Sequence, residues 1–291
     1  MVNARSRKGR DLFEQAKTKL EDAGVKLIAA HGLRNPKQLI PTVKEAVRSG
    51  APMVIVGGGD GSLSSAVDEL VGRDCVFALL PLGTANSFAR TLGIPLDLDG
   101  AIETIATGRR RRVDLGVIEG DYFANAASIG LSPMIGKTVP HNLKRYLGVF
   151  GYLIWAVRCT FRFRPFKLSI DDGKQKHSIW ATEVRIFNGR FHGGVELADE
   201  AEVDSGEIVI QAVTGQSVVK LGWDWFAKYF KLPARHATTQ EYRGRRLLID
   251  TKPRLPISID GEVLAKTPAT IEVAEMAIEV VVPSGPAPES N

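Results

Sequence analysis

The chain is poor in the residues that build metal centres and disulfide frameworks. Its two cysteines, Cys75 and Cys159, lie far apart among apolar neighbours. Their spacing makes neither a zinc motif nor a disulfide scaffold, so they read as buried thiols of a cytosolic protein. The five histidines, His31, His141, His177, His192 and His236, include no pair at zinc-ligand spacing and suggest no Ser-His-Asp arrangement. His192, in "FHGG", is a candidate to line a cleft. Internal repeats, heptads and low-complexity tracts are absent, apart from a polar, Pro-rich tail from Pro283. The opening "MVNARSRKGRDLFEQ" lacks the apolar core of a signal peptide. It also lacks the strand that an α/β fold would place before its basic turn. A truncated or late-started chain is therefore expected, or a fold that opens in a loop.

Acidic residues are missing from one long window. Between Tyr122 and Ile170 there is no Asp or Glu, while Lys137, Lys144, Arg145, Arg158, Arg162, Arg164 and Lys167 all fall there. The net charge of +5 suits nucleic acid, an anionic membrane surface or phosphorylated ligands, and does not choose among them. What is present is ordinary globular material: 291 residues, 44% hydrophobic and 24% charged, enough for one large domain or two linked ones.

The first third alternates helix and strand signals. "RDLFEQAKTKLEDAG" is helical in period and stops at Gly24. "VKLIAA" is a strand candidate, and "PKQLIPTVKEAVRSG" a helix broken near Pro41. "PMVIVGG" and "CVFALLPLG" are continuous apolar runs, as central parallel strands require. Each precedes a helical stretch, "SLSSAVDELVG" and "ANSFARTLG", and "DGAIETIATG" adds one more. This alternation predicts a doubly wound parallel sheet over residues 1–114. From 115 to 291 the texture changes to short strands separated by turn residues, including "FKLSID", "SIWATEVRIFNG", "GEIVIQAVTG", "RRLLIDT", "LPISIDGEV", "ATIEVA" and "MAIEVVVP". That pattern predicts an antiparallel β domain, with two helical insertions, "NLKRYLGVFGYLIWAVRC" and "SVVKLGWDWFAKYFKL". The last residues are free to return to the first domain.

Two strand ends carry the chemistry. In "VIVGGGDGSLSSAV" the strand breaks into glycines around one carboxylate before a helix begins. Bare glycine backbone and unpaired helix N–H groups suit a phosphate. Asp60 alone would repel that phosphate, so its place implies a shared divalent cation. The plainer alternative is a tight strand-to-helix turn. The loop is neither a P-loop nor a dinucleotide fingerprint. A second loop, "LLPLGTANSFAR", sets small polar groups at a neighbouring strand's C-terminal end, where parallel sheets bind ligands. Much later, "ISIDGEV" puts Asp260 in an Asp-Gly turn, which reads equally as a β-hairpin.

Taken together, "GGGDGSLSSAV", "PLGTANSFAR" and "ISIDGEVLAKTPATIEV", with "VNARSRKG", "GRRRRVDLG" and "FHGGVELADEAEVDSGEIVI", resemble the diacylglycerol kinase and lipid kinase family, especially its soluble bacterial members. The resemblance runs in order along nearly the whole chain. It implies a three-layer, NAD kinase-like α/β domain that binds ATP with Mg2+, a C-terminal β-sandwich for the acceptor lipid, and an active site between them. Gly58, Gly59, Asp60, Gly61 and Ser62 take the phosphate loop. Gly83, Thr84 and Asn86 take the second nucleotide loop, and Asn3 an early position near the nucleotide. Asp260 falls on the general-base position, with Glu262 beside it and Asp60 as the third catalytic residue and metal ligand. Asp204, in "EVDSGEIVI", is a candidate for a structural cation. The departures are Ala4 for the usual Pro, Ser64-Ser65 for Asn-Glu, Ser87 for Asp, and the changed Asp-Gly pair beside Asp204.

The expected partners are a lipid substrate and an anionic membrane surface, reached from the cytoplasm through the basic-aromatic helices. No nucleic acid is expected, and a homodimer is left open. The helical stretch of the acid-free window is shorter than a bilayer span. Against membrane docking stands simple packing of both helices on the sandwich. The Arg109–Arg112 run reads as a solvated face or a phosphate contact. Two rivals remain: an NAD kinase, which shares the glycine loop, and a degenerate lipid-binding protein, suggested by Ser65 and Ser87.

Overall fold

The computed structural model describes residues 1–3, 7–131, 155, 158–159, 163–230, 232–233, 237–260 and 262–285. Of the expected helical insertion 142–159, all but residues 155, 158 and 159 lie outside them.

The N-terminal layer is built on parallel strands. β3 (Met53–Gly58) pairs in register with β4 (Val76–Pro81), from Met53 opposite Val76 to Gly58 opposite Pro81. β1 (Val2–Asn3) lies between β3 and β2 (Gly32–Leu33), parallel to both. Helices α1 (Arg7–Asp22), α2 (Leu39–Arg48), α3 (Asp60–Val67), α4 (Ser87–Thr91) and α5 (Leu98–Thr107) complete this part. Val54, Val56, Leu79 and Leu80 join Leu63, Val67, Phe88 and Ile102 in one core. Each fully buried Val or Leu there contributes roughly 1.5–3 kcal/mol.

Three local expectations need correction. Val25–Ala30 is not a strand; the strand is the shorter Gly32–Leu33. A strand at Val25–Ala30 needs a hydrogen-bonded neighbour, and β1 is only two residues long. Apolar Ile28 is left exposed beside a groove of about 670 Å3 between α1, α2 and the edge of β3. Secondly, the position where no opening strand was expected holds β1, and the Met1 amino group just before it donates to Ile55 O at 2.7 Å. Burial holds that amino group down at about 6. Thirdly, α2 is unbroken at Pro41. A proline in a first turn forfeits no intrahelical hydrogen bond.

The C-terminal part is a β-sandwich. Its strand order runs β16 (Glu262–Lys266), β15 (Pro256–Ile259), β7 (Ala126–Gly130), β9 (Lys176–Phe187), β8 (Phe166–Asp171), β14 (Arg246–Lys252) and β17 (Ala269–Val282). β12 (Ile208–Thr214) and β13 (Thr239–Gly244), the latter not expected from sequence, extend from β9. β5 (Arg109–Ile118) pairs with β17 and with β6 (Asp121–Phe123). Ile129, Phe166, Leu168, Val184, Ile186, Ile210, Ile249 and Ile271 form the second core. Both cysteines are buried free thiols, as expected.

The stretches "ATIEVA" and "MAIEVVVP" are one strand, β17, rather than two. It pairs antiparallel with β14 in the sandwich and parallel with β4 in the first layer. Between those roles its register slips at Met276, whose φ is +48. Buried Asp114 holds the slip: its Oδ1 accepts from Met276 N and its Oδ2 from Gly206 N, each at 2.8 Å. Arg109–Arg112 is therefore strand, mostly exposed, with Arg110 facing Glu279 and Arg111 paired to Asp204.

Candidate active site

β3 ends in glycine and α3 starts at once. Gly59 caps the helix in an extended conformation, and Ser62 N and Leu63 N donate to its carbonyl. The N–H groups of Asp60 and Gly61 precede the first intrahelical bonds, so they face outward by construction. A Cβ on Gly61 would meet nothing within 4 Å, so the approach is open.

The second loop lies directly against the first. A Cβ on Gly83 would stand 2.4 Å from Gly59 Cα, and Leu82 N donates to Gly58 O at 3.0 Å. Backbone touches backbone here, which only glycine permits. Asn86, at φ +48, is buried, and its side chain shapes this loop. Its Oδ1 accepts from Gly83 N at 2.9 Å, while Nδ2 donates to Pro81 O and Gly83 O. Thr84 stands exposed at the tip. Asp60 bridges the loops: its Oδ1 accepts from Phe88 N, in the first turn of α4, at 3.2 Å.

Asp260 arrives from the other part of the molecule. Ile259 pairs with Glu262, so the chain turns back tightly at Asp260, which has φ +46. The hairpin reading is correct, but the turn does not hold the carboxylate exposed: it is partly buried against Ser64 and Ala126. β15 pairs with β7, which sets the Asp260 carboxylate against Ala126 N at 3.4 Å. From α3, Ser64 Oγ donates to Asp260 Oδ2. Burial pushes the Asp260 carboxyl up to about 6, and repulsion from Asp60 adds to this. Hydrogen bonds from Ser64 and from the Ala126 and Ala124 main chain pull the other way.

A third wall comes from the hairpin of β10 (Phe191–His192) and β11 (Val195–Glu196). Its turn residue Gly194, at φ +83, sits against Ala85, and Gly194 N donates to Ser87 Oγ at 3.1 Å. Asn125 ties the same wall to α4, accepting from Thr91 Oγ1 at 2.9 Å and donating to Phe191 O. Burial holds His192 down at about 4, so it is neutral near pH 7.

The structure thus brings Gly58, Gly59, Asp60, Gly61, Ser62, Gly83, Thr84, Asn86 and Asp260 to one place. Glu262 begins β16 and Asn3 ends β1; their side chains lie outside the described residues. Asp204 is elsewhere. It pairs with Arg111 in a hollow shared with Asp114, Ser205, Glu207, Arg245 and Glu275, and no residue of the glycine loops lines it. Among the described residues, no three His, Cys, Asp or Glu side chains converge on a possible cation. Sequence reading missed what Ser64 and Ser87 do. It noted both only as departures, yet each joins the loops to the other half of the cleft. Only their position directly behind the glycine motifs could have signalled this.

Residues 1–118 match the family described as diacylglycerol kinase catalytic domain, and residues 125–282 the YegS C-terminal NAD kinase beta sandwich-like domain. A curated relative, a diacylglycerol kinase of Staphylococcus aureus (strain JH9), is 26% identical over 95% of this chain and 90% of its own length. A solved structure of a diacylglycerol kinase from Bacillus anthracis str. Sterne superimposes with a TM-score of 0.73 at 20% identity, covering 92% of this chain and 91% of that one. A second solved structure from the same organism reaches 0.77 at 24% identity, covering 94% of this chain and 92% of that one. These structures share the fold. With residues 1–118 and 125–282 matched in order by the two domains, the chain belongs to the diacylglycerol kinase-like family.

Proposed function

We propose that the protein transfers the γ-phosphate of ATP to a hydroxyl of diacylglycerol or a related lipid, with Mg2+ as the cation. One observation carries this reading: the Asp260 carboxylate rests on Ser64, one turn into the helix behind the glycine loop. Phosphoryl transfer asks little covalent chemistry of a protein. It asks for a held phosphate, an in-line hydroxyl and a group to orient or take its proton.

The outward N–H groups of Asp60 and Gly61, and the bare backbone of Gly59 and Gly83, fit the nucleotide's phosphates. Asp260, with its carboxyl near 6, is matched to accept a proton at neutral pH. Ser64 and Ala126 N–H fix its orientation. The residues also fit a magnesium ion. Asp60 and Asp260 repel each other, and a divalent cation held by Asp60 would lessen that repulsion. When bound, the ion balances the phosphate charge.

The test is a panel assay. Purified protein is incubated with radiolabelled ATP and Mg2+, against dispersed diacylglycerols, related lipids and NAD. Label in a lipid fraction is expected. Bound ATP with no labelled lipid anywhere on the panel would contradict the proposal, and label in the NAD arm would assign the chain to the rival activity.

A further inference from the structure

Helix α6 (Val218–Tyr229) is amphipathic with its faces exchanged. Its charged residues point inward: Asp224 and Lys228 are 0% and 1% exposed. Val219, Trp223, Phe226, Tyr229 and Phe230, at the helix's C-terminal cap, point outward and are 49–78% exposed. The spacing 219, 223, 226, 230 makes one continuous stripe. Trp223 stacks on Phe226 at 5.7 Å, and Phe226 meets Phe230 at 4.7 Å.

An ordinary surface helix buries its apolar stripe. Here a buried polar network under α6 fixes the opposite rotation. Asp224 accepts from Arg185 Nη1 at 2.7 Å and from Thr238 Oγ1 at 2.6 Å. Lys228 donates to Gln211 Oε1 at 2.8 Å, and Arg185 donates to Glu183 at 2.6 Å. The Arg185 guanidinium also lies 4.5 Å from the Trp225 ring centre. Turning the apolar stripe inward would take Asp224 away from the buried Arg185 and Thr238, so the aromatic face is held outward.

We propose that this outer face of α6 docks the protein on an anionic bilayer, its rings at headgroup depth. Trp and Tyr, rings with one polar edge, suit that depth. The charge of the surroundings favours a bilayer over a second protein copy. The outer stripe carries no acidic residue, and the inner Leu221 and Trp225 pack with Cys159 and Trp155, beside exposed Arg158. Those three residues belong to the stretch from Tyr122 to Ile170 that contains no Asp or Glu. Position agrees. Trp225 lies 6.5 Å from His192, in the hairpin whose turn bonds to Ser87 of the second loop, so docking sets the cleft beside the lipid. The proposal deepens the lipid kinase reading by naming where the membrane is met. No described helix is long and apolar enough to cross it.

The test uses the full chain without ATP, so it does not depend on turnover. Binding to phosphatidylglycerol vesicles and to phosphatidylcholine vesicles is measured by co-sedimentation, at low and high salt, for wild type and for Phe226→Ser/Phe230→Ser. Wild type should prefer the anionic vesicles, with tryptophan emission shifting to shorter wavelength. The double variant, with an unchanged melting curve, should bind at least about tenfold more weakly. Equal vesicle binding by both proteins, or none by wild type, would overturn the proposal. So would a wild-type dimer that the variant dissociates with no change in vesicle binding. A protein that binds vesicles but labels no lipid would sink the kinase reading and leave this one. One that labels short-chain lipid in solution yet ignores vesicles would do the reverse.

Discussion

Ser64 and Asp260 stand 196 residues apart in sequence and share a hydrogen bond. One belongs to the helix that follows the phosphate loop, the other to a hairpin of the sandwich. That contact joins the two halves of the site across the cleft, and each side of it can be tested.

Asp260→Asn keeps the shape and most of the hydrogen bonding but removes the proton acceptor. Turnover should fall by about 10²–10⁴-fold, while ATP affinity stays within about threefold of wild type because the glycine loops are untouched. Steady-state kinetics with an ATP titration separates the two. Equal loss of both would contradict the role given to Asp260.

The raised Asp260 carboxyl fixes the sign of two pH effects. Activity should rise with pH through about 6 as the carboxylate forms. Stability should move the other way. Between about pH 4 and 6 the unfolded chain has released a proton that the fold retains, so stability falls as pH rises through that window. The penalty is complete above 6. Asp260→Asn should therefore stabilise the metal-free protein at pH 7 by about 1 kcal/mol after solvent screening, seen as a higher melting temperature that wild type approaches at pH 5.

Ser64→Ala removes a hydrogen bond that favours the Asp260 carboxylate. The acidic limb of the kcat/KM profile should shift upward by about half a pH unit to one unit. A purely structural role for Ser64 would lower stability and leave that limb in place.

Gly83→Ala forces a methyl group to within 2.4 Å of Gly59 Cα. The loops must separate, at a cost of about 1–3 kcal/mol, and ATP affinity should drop at least about tenfold. Isothermal titration with a non-hydrolysable ATP analogue reads this directly.

Asp224→Ala leaves Arg185 and Lys228 as buried cations without their carboxylate. A loss of about 3–5 kcal/mol is expected in denaturant unfolding. Replacing Glu183, Arg185, Asp224 and Lys228 together by apolar residues should cost much less, since the buried charges are then removed with their partners.

The sequence alone determined the parts whose physics is local. Continuous apolar runs made β3 and β4 strands, glycine clusters ended them in open loops, and the chain turned back at Asp260. Backbone sterics and burial on both faces act over a few residues, so a one-dimensional reading reaches them. Tertiary structure decided what depends on a distant partner. Val25–Ala30 has a strand's composition but too short a neighbour to pair with. "ATIEVA" and "MAIEVVVP" fuse because Asp114 holds the slip at Met276. α6 shows its rings to solvent because Arg185, Thr238 and Gln211, from other elements, claim its charges. Ser64 acquires a purpose only when β15 swings Asp260 onto it. Hydrogen bonds and charge pairing are satisfied in space, and their partners here lie tens to hundreds of residues away.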